Sequence, residues 1–368
     1  MADGSAPAAG DNAFLALLST VRPRVDAALA AALRGELTTH EDTGREVAAL
    51  LSAAQSLCVR GGKRLRAALV FAGVEAVSAD AEPLSHCALE CAVAVELLQS
   101  YFLVHDDWMD QDRERRGGAA VHVMLEEVLE STHLGACGAI LAGDYLVALA
   151  SKLAARAAGA LPTSSAAQVA EFMSAFAEMQ LQAVVGQQLD IAGWTRDAEK
   201  TYRLKTSSYT VLGPLQLGAL LAPRDAASTV ERRDALASLE RFALPIGIAF
   251  QVKDDLIGLF STPEKTGKPF GADLGAGKWT WVVQHALEHG NKSQKRALDA
   301  VFGNSGATQA ALENAVDAID ACGARAAAEV RIDRLLEQAL LALDTDTIRA
   351  QGRLLLKDAA AALVRREA

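Results

Sequence analysis

Proline is scarce in this chain, nine in 368 residues, and aromatics make up only 5% of it. Stretches that alternate with period two are few, which argues against an extended sheet. Ala, Leu, Glu and Arg at helical spacing fill the sequence instead, so the expected fold class is all-α. No repeat with a period of about 20–50 residues is present, which excludes a solenoid. No window reaches about 18 apolar residues without charge; the longest candidate, 135–160, is interrupted by Asp144, Lys152 and Arg156. The five cysteines (Cys58, Cys87, Cys91, Cys137, Cys322) are odd in number and contain no CxxC, so they read as small buried residues in a reducing compartment. The net charge of −10 leaves no general basic surface for nucleic acid. "MADGSAPAAGDN" lacks a basic segment followed by an apolar core, so residues 1–12 read as a flexible tail and the protein as cytoplasmic.

No long Pro/Gly/Ser linker divides the remaining chain, and one helical domain over 13–368 is expected. Breaks are expected at 38–44, 78–83, 113–120, 159–165, 222–228, 261–278 and 302–309. The segment 261–278 is long, Gly-rich and carries Lys265, Lys268 and Lys278. Loops of that length inside a compact domain are usually functional or disordered.

The chemistry concentrates in "YFLVHDDWMDQDRERRGG", where Asp106, Asp107 and Asp110 directly follow an apolar run. A buried carboxylate must be paired, protonated or bound to a cation. On a helix Asp106 and Asp110 share a face, with Asp107 about 100° round. Carboxylates converging at a helix end make a hard-oxygen site suited to Mg²⁺ shared with substrate phosphates. "QVKDDLIG" repeats the pattern with Asp254 and Asp255, one turn after Gln251. Two such clusters can face one another across a cavity and hold several ions.

Cations supply the counterpart. Lys63, Arg64 and Arg66 sit beside Gly61 and Gly62, with Lys63 and Arg66 spaced as neighbours on a helix; Arg115, Arg116, Lys205, Lys268 and Lys278 come later. Arg and Lys beside Gly suit a diphosphate, which takes bidentate donors and close backbone approach. His105 is expected to hydrogen-bond within the acidic cluster or near substrate. Two lookalikes are set aside. "GADLGAGKWT" has the wrong Gly–Lys spacing for a phosphate loop and lacks Ser or Thr after the Lys, and "ESTH" is a lone Glu-x-x-His. No Ser/His/Asp or Cys/His arrangement suggests a nucleophile.

Together "GGKRLR", "DDWMDQDRERRGG", "GQQLD", "KTSS", "QVKDDLIG" and "TGKPFGADLGAGK" resemble, in order, the motifs of the trans-isoprenyl diphosphate synthases, the polyprenyl synthetase family, over roughly residues 13–366. The resemblance implies a helical bundle around a deep central cavity (the isoprenoid synthase fold), a homodimer, and Mg²⁺-dependent condensation of isopentenyl diphosphate with an allylic diphosphate. It assigns Asp106, Asp110 and Asp254 to Mg²⁺ and Arg115, Lys205 and Lys268 to the allylic diphosphate. Lys63, Arg66 and Arg116, with Gln99, fall to isopentenyl diphosphate. Thr206, Gln187 and Gln251 lie near the reacting carbons, and Lys278 helps close the site. Gly258 departs from the family, which has a third Asp there; the implied effect is weaker binding of one ion without loss of activity.

Tyr101 and Phe102 lie five and four residues before Asp106, about 6–7.5 Å along the helix. In the resembled family aromatics at both positions accompany fifteen-carbon products, so farnesyl diphosphate is the expected product. If both rings merely pack in the core, geranylgeranyl diphosphate is the better reading. A class I terpene cyclase and a non-catalytic synthase subunit are the weaker alternatives.

Overall fold

The computed structural model describes residues 12–78, 85–161, 165–222, 229–261 and 270–365. The expected tail (apart from Asn12), Lys265 and Lys268 lie outside the described residues. The chain forms two compact units: one takes residues up to Phe176 with Pro214–Arg232 and Arg349–Leu356, and the other takes Ala177–Gly213, Arg233–Ile348 and the chain from Lys357.

Helices dominate both units, as composition demanded. The first holds α1 (Ala13–Thr39), α2 (Arg45–Val59), α3 (Leu65–Val77), α4 (Ser85–Met109), α5 (Val121–Leu129) and α6 (Thr132–Gly159). A short hairpin of β1 (Glu114–Arg115) and β2 (Gly118–Ala119) interrupts the helices between α4 and α5. α7 (Ala166–Ala192) leads into the second unit, which has α8 (Ala198–Tyr202) and a ten-residue π-helix, Arg203–Leu212. α9 (Gly213–Leu220) returns to the first unit, and α10 (Thr229–Phe260) to the second. Then come α11 (Ala272–Gly275), α12 (Trp281–His289), α13 (Lys292–Asp299), α14 (Gln309–Ala321), α15 (Ala324–Leu341) and α16 (Ala350–Val364).

Local signals set several boundaries. The Asn12 side chain caps α1 by accepting from Leu15 N–H at 2.8 Å. Ser131 caps α6 in the same way, while Glu130 closes α5 in the left-handed region. "ESTH" therefore straddles a helix break and cannot act as a helical Glu-x-x-His. Cys58, Cys87 and Cys91 are buried as expected, whereas Cys137 and Cys322 are only half-buried.

Glycine brings α3 and α9 to backbone contact in the first unit. A Cβ on Gly73 would lie 2.3 Å from the Leu215 carbonyl oxygen, and one on Gly218 would lie 2.0 Å from that of Val70. Among the described residues three helices are long and apolar enough to cross a membrane by length and composition, and burial distinguishes them. Of the apolar windows in α4 and α10, 72% and 61% are buried within the protein, but only 44% of that in α6.

The basic loop before α3 hangs from one buried side chain. Arg64, 3% exposed, donates to Asp26 on α1 at 2.7 Å, to Glu96 on α4 at 2.8 Å and to the Cys58 carbonyl at 3.0 Å. It is therefore a structural tie, contrary to the sequence grouping with Lys63 and Arg66. Helix α3 begins only at Leu65, so Lys63 precedes the helix and is not a helical neighbour of Arg66.

Two stability outcomes are expected. Glu96→Ala strands the buried Arg64 and should cost about 3–5 kcal/mol in urea unfolding. Gly218→Ala should cost about 1–3 kcal/mol by forcing α3 and α9 apart.

Candidate active site

In the first unit, α4 sets the acidic motif. Asp106 and Asp110 remain partly exposed at the helix end, whereas Asp107 is fully buried. Asp107 accepts from Arg115 through Nε at 2.7 Å and through a second, very short contact from Nη2, which also reaches Asp112 at 3.2 Å. Burial drives the Asp107 carboxyl up to about 6 against the pull of Arg115. The two adjacent aspartates thus differ in kind: one is partly open to solvent and the other latches a guanidinium.

Arg115 belongs to the hairpin. Arg116 and Gly117 form its two-residue turn, both with positive φ (51° and 72°), the primed geometry that suits a tight hairpin. Arginine rarely occupies that region, and a donation of 2.6 Å from Arg116 Nη1 to the Gly61 carbonyl holds it there. Gly118 leaves room for Arg60, whose Nη1 donates to the Ala119 carbonyl at 2.7 Å; a Cβ on Gly118 would sit 2.7 Å from the Arg60 guanidinium carbon. The trailing "RRGG" is thereby explained residue by residue.

Arg116 lies among cations. Burial, and then the neighbouring Arg64, push it below the usual arginine range, with Arg66 acting in the same sense. Lys63 is exposed and Arg66 half-buried on the same short segment. Gln99 is 7% exposed, and its Oε1 has no partner among the described residues. Tyr101 and Phe102 are half-buried, their ring centroids 4.8 Å apart, so neither is a plain core residue. Of the two settings expected for His105, the acidic cluster is not where its hydrogen bond goes: its Nε2–H donates to the Ile140 carbonyl on α6 at 3.1 Å.

In the second unit the pattern recurs. Asp254 is partly exposed, and Asp255 is 7% exposed and held by two donors. Tyr202 donates its hydroxyl to Asp255 Oδ2 in a very short contact, and Gln251 Nε2 donates to Oδ1 at 3.1 Å. Burial pushes Asp255 well above the usual carboxylate range, opposed by these donors. The network continues both ways. Trp281 N–H donates to the Tyr202 hydroxyl at 2.7 Å, and Thr206 donates to Gln251 Oε1 at 2.9 Å.

Thr206 and Lys205 both lie on the π-helix, a form often found at functional sites. Sequence reasoning missed it, though its signal is in the flanking glycines. A Cβ on Gly186 of α7 would lie 2.1 Å from Lys205 N, and one on Gly247 of α10 would lie 2.4 Å from Ser207 Oγ. Lys205 pairs with Asp190 at 2.5 Å, which assigns the Asp of "GQQLD" as the partner of that lysine. Gln187, three residues earlier on α7, is half-buried.

Lys278 is half-buried in a folded segment whose turns use Gly271 and Gly277 at positive φ. Its N–H donates to the Asp273 carbonyl at 2.9 Å, and next to it the Trp279 ring lies 3.9 Å beneath the Arg196 guanidinium. Lys268 lies outside the described residues.

The carboxylates at both helix ends offer only oxygen, a set for a hard cation. Among the described residues no three His, Cys, Asp or Glu side chains form a ready-made metal site. Mg²⁺ fits nonetheless, because one or two carboxylates suffice when phosphate and water complete its shell.

Tyr202→Phe should orphan the Trp281 N–H and remove a donor from Asp255, lowering stability by about 1–3 kcal/mol in chemical denaturation. Gly186→Ala should displace Lys205 and lower kcat at near-normal folded content by circular dichroism.

The polyprenyl synthetase family model matches residues 47–319. The chain is 32% identical over 283 residues to a (2E,6E)-farnesyl diphosphate synthase of Mycobacterium tuberculosis, covering 73% of this chain and 70% of that one. It is 34% identical over 279 residues to a geranylgeranyl diphosphate synthase of Methanosarcina mazei, covering 74% and 76%. A geranylgeranyl pyrophosphate synthase from Corynebacterium glutamicum, solved with isoprenyl diphosphate and magnesium, superposes with a TM-score of 0.82 at 29% identity, covering 95% of this chain and 99% of that one. With these matches, and with both aspartate pairs divided into an outward and a buried member, the chain belongs to the polyprenyl synthetase family and has its all-α isoprenoid synthase fold.

Proposed function

We propose that this protein is a trans-prenyltransferase that joins isopentenyl diphosphate head-to-tail to dimethylallyl or geranyl diphosphate, with farnesyl diphosphate as product. The observation that carries this reading is the division within each aspartate pair, which leaves Asp106, Asp110 and Asp254 partly exposed while Asp107 and Asp255 are tied into the protein.

Asp106, Asp110 and Asp254 ligate Mg²⁺ bound to the allylic diphosphate. The metal supplies Lewis-acid activation of that leaving group. Arg115, Lys205 and Lys268 hold the same diphosphate, Lys205 steered by Asp190. Lys63, Arg66 and Arg116, with Gln99, hold the diphosphate of isopentenyl diphosphate; the crowding of cations around Arg116 supports an anion there. The allylic C–O bond ionises, the isopentenyl double bond attacks the allylic carbon, and a proton is lost to the departing diphosphate. Thr206, Gln187 and Gln251 line the reacting carbons. The Thr206–Gln251–Asp255 chain fixes the direction of the Thr206 and Gln251 dipoles, so these two need no reorganisation as positive charge develops. Lys278 helps exclude water.

Tyr101 and Phe102 form the floor that stops growth. Their half-buried, paired rings support this over simple core packing. The working form is a homodimer. Exposed apolar residues on α6 (Leu134 and Leu141, 48% and 57% exposed) and on α7 (Leu181 and Val185, 61% and 52%) support a covering partner. Five free thiols fit a cytoplasmic setting.

Purified protein with Mg²⁺, isopentenyl diphosphate and geranyl diphosphate should yield farnesol after dephosphorylation. Chelation should abolish turnover. Asp106→Ala and Asp254→Ala should each lose more than the roughly 10–100-fold that outer-shell partners of a metal carry. Geranylgeraniol as main product would retain the class and overturn the floor; no condensation would overturn the class.

A further inference from the structure

We infer that His105 and Gly143 together hold the Tyr101 ring in place and so set where chain growth stops; the inference rests on the floor reading above. Two adjoining rows of side chains run along α4. Phe102, Asp106 and Asp110 succeed one another at four-residue spacing, and beside them Tyr101 and His105 lie one turn apart.

The second row is fastened to α6. His105 Nε2–H donates to the Ile140 carbonyl at 3.1 Å. It can come so close because position 143 carries no side chain: a Cβ there would lie 2.2 Å from His105 Nε2 and 2.5 Å from its Cδ2. Real Cβ contacts are never that short, so the imidazole occupies the volume that any larger residue would fill. The fixed imidazole meets the Tyr101 ring edge-on, with centroids 4.8 Å apart and planes at 66°. Tyr101 then meets Phe102 at 4.8 Å. Asp144, next to Gly143, acts on Tyr101 as well: burial first, and then this carboxylate, raise its hydroxyl above the usual tyrosine range. The Tyr101 ring is thus braced by the imidazole and Phe102, and the brace depends on a glycine forty-two positions away in sequence. His105 and Gly143 are positioning residues; neither is assigned contact with the reacting atoms.

The test is the ratio of twenty- to fifteen-carbon product at fixed substrate ratio, a readout that loss of folded protein does not move. Tyr101→Ala should raise it, which checks the floor. Gly143→Ala should raise it by about fivefold, the change that roughly 1 kcal/mol between competing transition states produces. His105→Phe, which keeps a ring but loses the bond to Ile140, should raise it too and serves if Gly143→Ala does not fold. In the Tyr101→Ala background neither change should add a further shift. If Tyr101→Ala lengthens the product while Gly143→Ala and His105→Phe leave the ratio alone, the brace is refuted and the floor stands. An equal shift with and without Tyr101 also refutes it, since the effect would then bypass that ring. If neither Tyr101→Ala nor its double variant with Phe102→Ala changes the ratio, the floor itself fails and the brace with it.

Discussion

Burying a carboxylate within an apolar helix is the constraint around which both units are organised. Desolvation of the charge is costly, so each buried acid has acquired a dedicated partner, and each partner belongs to a segment given a part in the proposed site. Glu96 holds Arg64 and with it the basic loop that presents Lys63. Asp107 holds Arg115 and with it the hairpin. Asp255 holds Tyr202 and Gln251, and through Gln251 the hydroxyl of Thr206. The same electrostatic requirement thus stabilises the fold and orients the chemistry.

This division of labour explains why the acids come in adjacent pairs. Consecutive residues on a helix point about 100° apart, so a pair can direct one carboxylate inward and leave the other near solvent. The inner member fixes the frame and the outer member stays partly exposed to solvent. The Asp255 network does not draw on position 258, where the resembled family has a third Asp.

Glycine has the complementary task of letting backbones and rings approach. Gly186 and Gly247 admit the π-helix, Gly73 and Gly218 admit α9 against α3, and Gly143 admits an imidazole. Each is a position where a methyl group would displace a neighbouring backbone or ring. The effects expected of substitution therefore differ by site: stability at Gly218, turnover at Gly186 and product length at Gly143.

Much was legible in the sequence. Helical periodicity and the lack of alternating stretches determined the fold class, and the ordered motifs determined the family, because spacing by fours and the chemistry of oxygen and guanidinium are local facts. The sequence could not tell Asp254 from Asp255 in burial, nor show that Arg64 is a structural tie while Lys63 is exposed. Those distinctions depend on which partner lies across the helix: Glu96 is thirty-two residues from Arg64 and Tyr202 fifty-three from Asp255. The π-helix was equally hidden, since it is held by glycines on α7 and α10 and not by a propensity of "RLKTSSYTVL". The sequence by itself determined the helices, the donor types and their order along the chain; tertiary structure alone decided which charges hold the protein together and which stay partly exposed, because burial and pairing are properties of neighbours distant in sequence.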